Sequence, residues 1–277
     1  MSALDCKEIE RHVKKIKVKN YEDEDVFVVN NSALEMIGKG RQGAVFLITD
    51  DICVKVYGDV DDCEREHYAM SLGQHTSLLP KIYCKGNNFL VMEMVYGVDL
   101  REYMQSQPLT EELSHELIKM LITFKEIGYE RIDHHKRQIY LQNDGSLKVI
   151  DVGRTVWRNR TYPYPRKLLQ SLGVDYRNLF IEHVKKIDSD LYEEWEYYMR
   201  MEEISKRLYG VLVNKEKVDT KQLKQETNKL LTTKDPDMHY KSLENLVSKV
   251  VKEQSKREKE KQEKRKKGKS KKKKDKK

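Results

Sequence analysis

Three glycines with the spacing Gly-x-Gly-x-x-Gly, at Gly38, Gly40 and Gly43, are the residues of this chain best suited to holding a phosphate. A loop without Cβ atoms lets its backbone N–H groups approach phosphate oxygens, because no side chain holds the anion away. Apolar residues precede the glycines, and the run Ala44-Val45-Phe46-Leu47-Ile48 follows them. The predicted order is therefore strand, loop, strand, whereas a dinucleotide-binding loop or a Walker loop leads from a strand into a helix.

A lysine follows on the next predicted strand. Residues 52–57 have the sequence Ile-Cys-Val-Lys-Val-Tyr, so Lys55 stands among apolar neighbours. Residues 61–72 then have helical spacing and carry Glu64 and Glu66, either of which could reach Lys55 or lie on the solvated helix surface. A glycine-rich cover followed by a lysine on the third strand is the order of elements in protein kinases. An unrelated hairpin with a surface lysine is the alternative that the later elements must exclude.

The segments that follow alternate strands, turns and one long helix. Residues 79–83 and 89–94 are predicted strands on either side of a glycine-containing turn. Thr110 is the predicted N-cap of a helix that runs to Tyr129, and its apolar face is assigned to the core. Beyond Gly153, helices are predicted over 167–173, 175–187 and 191–213.

Two aspartates occupy loops after the long helix. Asp133 belongs to the sequence Arg131-Ile132-Asp133, and Gln138 follows it five residues later. Asp151 opens the sequence Asp151-Val152-Gly153, directly after the apolar run 147–150. The glycine loop, the lysine, the glutamate and these two aspartates thus come in a fixed order along the chain.

Residues 34–153 resemble the protein kinase superfamily, in particular the small bacterial and archaeal serine/threonine kinases of the eukaryotic-like (Hanks) type. The ordered set of motifs carries the resemblance and is more specific than any one of them. The resemblance implies an α+β, two-lobed fold, with an antiparallel β-sheet and one helix in the N-lobe and a shortened, mainly α-helical C-lobe. The predicted domains are a helical extension over 1–25, an N-lobe over 26–94, a C-lobe over 95–213 and a charged helical segment over 214–250.

The resemblance also assigns roles to individual positions. Lys55 would bind the α- and β-phosphates of ATP, with Glu66 as its partner and Glu64 as the second choice. Asp133 would orient the acceptor hydroxyl or accept its proton, and Gln138 and Asp151 would hold Mg²⁺ or Mn²⁺. The remaining nucleotide contacts would come from the glycine loop and from the connection between the lobes, at Ile37, Gly38, Gly40, Gly43, Val45, Glu93 and Val95.

The sequence departs from the kinase pattern around the catalytic loop. The usual His-Arg-Asp is Arg131-Ile132-Asp133, Gln138 replaces an asparagine, and no Ala-Pro-Glu sequence follows Gly153. These changes indicate an enzyme that activation-loop phosphorylation does not switch, or one with a non-peptide substrate. Three functions stay open: a serine/threonine-protein kinase acting on a protein substrate, which we favour; a kinase for a small molecule or a lipid sugar; and a nucleotide-binding pseudokinase that serves as a scaffold.

Length and composition agree with one compact kinase-like core, since the chain has 277 residues. The four cysteines at positions 6, 53, 63 and 84 show no metal-ligand spacing, so they are predicted to be reduced thiols of a cytosolic protein. No apolar run approaches the roughly 18 residues that a transmembrane helix needs, and the first residues lack a signal-peptide profile. A cytoplasmic location is therefore expected.

The last 27 residues, 251–277, differ from the rest of the chain. They contain 16 Lys and Arg against 5 Asp and Glu, while the whole chain has a net charge of +8. The basic character therefore belongs to this tail, and residues 1–250 carry a small negative net charge. Such a run cannot bury apolar surface and is predicted to be disordered or a fraying helix. It is a candidate for contact with a polyanion, either nucleic acid, anionic lipid or an acidic protein.

Overall fold

The described part of the chain alternates short strands and helices as far as residue 149, and residues 166–212 are mainly helical. The computed structural model describes residues 5–132, 134–157 and 164–212, with the backbone alone for 201 and 204–212. The strands are β1 Ile16–Lys19, β2 Phe27–Asn30, β3 Met36–Lys39, β4 Gly43–Thr49, β5 Ile52–Tyr57, β6 Ile82–Lys85, β7 Phe89–Glu93, β8 Val98–Asp99, β9 Ile139–Leu141 and β10 Leu147–Val149. The helices are α1 Cys6–Val13, α2 Val60–Leu72, α3 Leu100–Ser106, α4 Glu111–Glu126, α5 Arg166–Leu172, α6 Val174–Ile187 and α7 Ser189–Leu212, with a 3₁₀ turn at Lys136–Gln138.

A five-stranded antiparallel sheet in the order β3-β4-β5-β7-β6 forms the N-lobe, which spans α1 to β7. Alternate residues of β4 and β5, such as Phe46, Val54 and Val56, are fully buried on one face of this sheet. The antiparallel register pairs Val45 with Lys55 and Lys55 with Leu90, so the lysine lies on a central strand. Because side chains alternate across a strand, Lys55 points to the face opposite that of Val54 and Val56.

The N-terminal residues complete the core of the N-lobe. Ile9, Val13, Ile16 and Val26 belong to the same buried cluster as the sheet residues. The extension predicted to be helical over 1–25 is helical at Cys6–Val13, and β1 begins at Ile16 and pairs with β2. The alternating sequence Ile16-Lys-Val-Lys has the period of a strand, with Ile16 buried and its neighbour exposed, which is why the helix prediction was wrong there.

Two of the four cysteines form a disulfide. Cys6, the first residue of α1, is bonded to Cys84 in β6, with their Cα atoms 6.5 Å apart. Cys53 and Cys63 are free and buried. The prediction of four reduced thiols is therefore wrong for this pair, because a separation of 78 residues carries no spacing signal from which pairing could be inferred. The cysteines therefore no longer support the prediction of a cytosolic protein.

The C-lobe, from β8 to α6, is built around helix α4. Thr110 caps this helix by accepting from the backbone N–H of Leu113, and seven of its residues are buried. Helix α4 packs on α6, where the Ser114 hydroxyl lies 2.7 Å from the Nδ1 atom of His183. The antiparallel sheet in the N-terminal part and the helices of the C-terminal part confirm the predicted α+β fold class.

The chain divides into the units Met1–Tyr192 and Glu193–Lys277. Of the second unit, only residues 193–212 are described, and they are helical. The predicted charged segment 214–250 and the basic tail 251–277 lie outside the described residues, and the predicted domain boundaries stay predictions. Within the described part of the chain, no helix is both long and apolar enough to cross a membrane.

We expect truncation of Val26 to destabilise the N-lobe, since its side chain is 0% exposed within the core cluster. Val26→Ala should lower the free energy of unfolding by about 2 kcal/mol, because two buried carbons and their packing contacts are lost. Val29→Ala on the same hairpin is the matched control, since Val29 is 36% exposed. Urea unfolding of both variants checks this, and equal effects would contradict a structural role for the N-terminal hairpin.

Candidate active site

The glycine loop is the turn between β3 and β4. The N–H of Gly40 donates to the carbonyl oxygen of Gly43 across this turn at 2.9 Å. From outside the loop, the N–H of Val26 donates to the carbonyl oxygen of Gly40 at 2.8 Å. The side-chain amide of Gln42 donates to Asp62 on α2 at 2.5 Å. The hairpin β1–β2 and helix α2 therefore both support the loop.

The three glycines meet different surroundings. A Cβ atom at Gly38 or Gly40 would have nothing within 4 Å, so these positions face open space. A Cβ at Gly43 would lie 2.5 Å from the carbonyl oxygen of Val56 on the neighbouring strand. Gly43 is thus required by the packing of β4 on β5, while Gly38 and Gly40 leave room for a ligand that approaches the backbone.

Lys55 and Glu66 form an ion pair beneath this loop. The Lys55 Nζ atom lies 2.6 Å from Glu66 Oε2, and the two side chains are 14% and 3% exposed. Asp151 Oδ1 lies 3.6 Å from the same Nζ atom. Burial alone would lower the pKa of Lys55, but the two carboxylates outweigh burial and leave the pKa raised. Lys55 is therefore charged at neutral pH and connects the sheet, helix α2 and the Asp151 loop.

Two further residues pack closely around this ion pair. The ring of Tyr57 is 1% exposed, and its centroid lies 5.1 Å from Lys55 Nζ. Burial, with the negative charge of Glu66 beside it, raises the pKa of Tyr57 well above its ordinary value, so the phenol stays neutral. On the other side, a Cβ at Gly153 would come 3.1 Å from Glu66 Cβ. The absence of a side chain at Gly153 thus lets the Asp151 loop approach α2.

Asp151 is held in a left-handed backbone conformation, with φ of +61°. This conformation costs about 1 kcal/mol for a residue other than glycine and persists where the surroundings fix it. Gln138 supplies one such contact, because its Nε2 donates to Asp151 Oδ2 at 2.9 Å. Burial acts to raise the pKa of Asp151, but Lys55 and Gln138 more than offset it, so the pKa lies below its ordinary value. Asp151 is ionised and able to bind a cation.

Gln138 uses both ends of its amide within the protein. Its Oε1 accepts from the backbone N–H of His135 at 3.0 Å, while its Nε2 contacts Asp151. Its contact with Asp151 makes it a positioning residue for that carboxylate. The role of Gln138 as a metal ligand stays a prediction. In that role Oε1 would have to bind the metal while it also accepts the hydrogen bond from the His135 N–H.

The predicted Asp133 lies outside the described residues, and its neighbours on both sides are anchored. Ile132 and His134 are buried, and the ring of His134 lies 4.9 Å from that of Phe124 on α4. The N–H of Arg131 donates to the carbonyl oxygen of Thr155 at 3.1 Å. Burial, aided by Arg131, lowers the pKa of His134 to about 4, so this imidazole is neutral at pH 7.

The connection between the lobes follows β7. The N–H groups of Glu93 and Met94 donate to Lys81 and Asp51, whereas the N–H of Val95 makes no hydrogen bond within the described residues. Met92, with 8% exposure, lies at the end of β7 and lines the same cavity as Val95. The Glu93 side chain accepts from Lys148 of β10 at 2.9 Å. An apolar wall beside an unused N–H suits the edge of a purine base.

These residues surround one cavity of about 1090 Å³. All the predicted site residues that the structure describes line it, namely Ile37, Gly38, Gly40, Gly43, Val45, Lys55, Glu66, Glu93, Val95, Gln138 and Asp151. Within the described ranges, no group of three His, Cys, Asp or Glu residues could hold a metal by itself. Mg²⁺ is commonly held by one or two carboxylates together with substrate phosphates, and Asp151 is a carboxylate of this site that could do so. Open glycine positions, a charged lysine and an ionised aspartate fit Mg-ATP.

Three contacts of this site were missed by sequence reasoning. Tyr57 was assigned only to a strand, and the pairs Gln42–Asp62 and Glu93–Lys148 had no role. The position of Tyr57, two residues after Lys55 on the same strand, is a signal that could have placed it on the same face. The two pairs join residues 20 and 55 positions apart, and no local spacing marks them.

Comparisons with known proteins cover parts of the chain. No family model matches it. The chain is 31% identical over 109 residues to an uncharacterized protein of Dictyostelium discoideum, which covers 39% of the chain and 12% of that protein. It is 27% identical over 129 residues to a candidate serine/threonine-protein kinase, YrzF of Bacillus subtilis (strain 168), which covers 44% of the chain and 59% of that protein. The chain thus spans less than two thirds of the curated relatives that it matches.

Among solved structures, the chain is similar to WbdD, described as a bifunctional kinase-methyltransferase. The monomeric form of WbdD aligns at 17% identity with a TM-score of 0.39, over 65% of this chain and 51% of that one. A second WbdD structure aligns at 18% identity with a TM-score of 0.36, over 55% of this chain and 40% of that one.

The open surroundings of Gly40 predict a separation between stability and ligand binding. Gly40→Ala should change the free energy of unfolding by no more than about 1 kcal/mol, the usual size of a Gly-to-Ala effect. It should nevertheless weaken Mg-ATP binding, because the added Cβ would crowd the phosphates. Gly43→Ala should instead destabilise the fold, because its Cβ would meet the Val56 carbonyl. Urea unfolding and nucleotide titration of both variants check this. Equal loss of stability in the two would contradict the assignment of Gly40 to the ligand side.

Proposed function

We propose that this protein is an ATP-dependent phosphotransferase that transfers the γ-phosphate to a hydroxyl group, with serine or threonine of a protein as the acceptor. One observation carries the proposal: Lys55 is paired with Glu66 at 2.6 Å and lies 3.6 Å from Asp151, beneath a loop with open glycines. Phosphoryl transfer depends on such positioning and on charge stabilisation more than on covalent chemistry by the protein. The similarity to the candidate serine/threonine-protein kinase YrzF supports the same class.

Each residue has a defined task in this proposal. Lys55, held by Glu66, binds the α- and β-phosphates, and the glycine loop covers the phosphates with backbone N–H groups. Asp151, positioned by Gln138, holds Mg²⁺ or Mn²⁺, which supplies charge neutralisation at the phosphates when bound. The Glu93 carbonyl oxygen and the Val95 N–H are the backbone groups that bind the adenine in this proposal.

The transfer step exchanges one phosphorus–oxygen bond for another. The acceptor oxygen forms a bond to the γ-phosphorus while the bond from that phosphorus to the β-phosphate oxygen breaks, and ADP leaves. The hydroxyl proton passes to the Asp133 carboxylate in this proposal. Lys55 stabilises the charge that develops on the phosphate oxygens, which is the kind of preorganised contact that contributes most to catalysis.

A kinase acting on a small molecule is the second candidate. Helix α5 begins at Arg166, only 13 residues after Gly153, so the segment that would hold a peptide substrate is short.

Incubation with γ-labelled ATP and Mg²⁺ or Mn²⁺ separates the candidates by the position of the label. Label on protein supports the first, and label on a metabolite fraction supports the second. Nucleotide binding without any turnover would contradict both and leave a pseudokinase.

Lys55→Met should reduce phosphate transfer by at least about 100-fold, the loss that follows removal of one preorganised charge contact. Lys85→Met is the matched control, since Lys85 also joins a strand to helix α2 through Glu64 but does not line the cavity. The rate of label transfer and the unfolding free energy are measured for both. Unchanged turnover in a folded Lys55→Met protein would contradict the proposed role.

The two aspartates should be separable. Asp151→Ala should weaken Mg-nucleotide binding and abolish transfer, because the metal loses its protein carboxylate. Asp133→Asn should bind Mg-ATP within about twofold of the unchanged protein, yet lose at least about 100-fold in transfer, in the range of general-base catalysis. Paired measurements of nucleotide affinity and transfer rate check this. Near-full transfer by Asp133→Asn would rule out its role as the base.

A further inference from the structure

The cavity is positively charged on its C-lobe side. Arg131, Arg137, Arg154 and Lys167 all line it, and Asp151 is the one carboxylate among the described lining residues from 131 onward. Lys55 and Mg²⁺ are the partners proposed for the nucleotide phosphates, and Lys55 belongs to the N-lobe. None of these four cations has a task in the proposed binding of the nucleotide.

Two of these cations flank the residues proposed for catalysis. Arg137 precedes Gln138 in the chain, and Arg154 follows the sequence Asp151-Val152-Gly153. Both side chains are exposed, and within the described residues neither forms an ion pair. Lys167 is exposed on helix α5, which is tied to the same loop because the N–H of Lys136 donates to the Ser171 hydroxyl at 3.2 Å. Three separate elements thus present positive charge around the mouth of the site.

The N-terminal hairpin contributes three of the acidic residues that line the cavity. Asp23, Glu24 and Asp25 come from the loop between β1 and β2. Asp23 Oδ1 lies 3.8 Å from a guanidinium nitrogen of Arg41 in the glycine loop. The N–H of Val26 donates a hydrogen bond to the carbonyl oxygen of Gly40 in the same loop. These acids therefore lie beside the loop that is proposed to cover the nucleotide. An acceptor must approach the catalytic loop and the Asp151 loop, where the cations are.

We propose that the acceptor serine or threonine is carried by an acidic peptide segment, whose carboxylates contact Arg137 and Arg154. This inference rests on the proposed function and names its substrate class. The exposed positions of the two arginines favour an extended segment, since small-molecule sites bury most of their ligand in an enclosed pocket. Charges on such a rim select partners and speed association, and their effect is screened by salt.

Two peptides of equal length test the proposal, one with a serine flanked by Asp and Glu and one with the same serine flanked by Lys. The unchanged protein should phosphorylate the acidic peptide with a kcat/KM at least about 10-fold higher, and the preference should decline as salt rises. In the full-length chain, Arg137→Ala combined with Arg154→Ala should raise the KM for the acidic peptide about 10-fold. Arg177→Ala, an exposed arginine of α6 outside the cavity, is the matched control and should not alter it.

The basic tail is present in every variant, so its own attraction for acidic peptides cancels when the arginine variants are compared with the unchanged protein, and that comparison decides between tail and cavity. Binding of each peptide, measured by fluorescence anisotropy with Mg²⁺ and a non-hydrolysable ATP analogue, separates recognition from turnover. Arginine-dependent binding of the acidic peptide without transfer would support the acidic partner and contradict the proposed function. Transfer to either peptide that is indifferent to the two arginines would support the function and overturn this inference.

Three other results would also overturn the inference. The first is equal or better transfer to the basic peptide. The second is the absence of any arginine-dependent binding of the acidic peptide. The third is phosphorylation of a small anionic compound with a free hydroxyl, such as a sugar phosphate, while neither peptide accepts phosphate. In that case the cations serve a small acceptor.

Discussion

The ion pair between Lys55 and Glu66 is the interaction on which the arrangement of the site depends. It forms only if helix α2 packs against the sheet, because Glu66 is carried by that helix and is 3% exposed. A buried carboxylate left without its cationic partner is costly, so the pair also fixes the position of the helix. Gln42 and Lys85 add contacts that hold α2 to the glycine loop and to strand β6. The missing side chain of Gly153 lets the Asp151 turn approach the same helix.

The same pair links the two ends of the cavity. Asp151 approaches Lys55 from the C-lobe, and Gln138 holds the Asp151 carboxylate while also capping the turn at His135. The glycine loop is braced from the other direction by Val26, a residue of the N-terminal hairpin. The hairpin is thus part of the N-lobe core and of the support for the phosphate side. The disulfide between Cys6 of helix α1 and Cys84 of β6 adds a covalent constraint on the same lobe.

The sequence predicts the local elements of this site well, because each carries a short-range signal. Glycine spacing, a lysine in an apolar strand and an aspartate before glycine all lie within a few residues of the feature that they mark. In the structure Lys55 lies next to both Glu66 and Asp151, and it pairs with Glu66 rather than with Glu64, which pairs with Lys85. The contacts that could not be predicted join distant positions. The disulfide spans 78 residues and the Glu93–Lys148 pair spans 55, and side-chain pairing at such separations depends on the folded register.

The central claim is that Lys55 and Glu66 act as one unit in an ATP-dependent transfer. A double-mutant cycle on label transfer from γ-labelled Mg-ATP, with Lys55→Met, Glu66→Gln and the combination, measures this most directly. Residues that act as a unit give strongly non-additive losses. Each single change should reduce kcat/KM by about 100-fold, and the double change should cost little more than either. Additive losses, or turnover that survives all three changes in folded protein, would contradict the account.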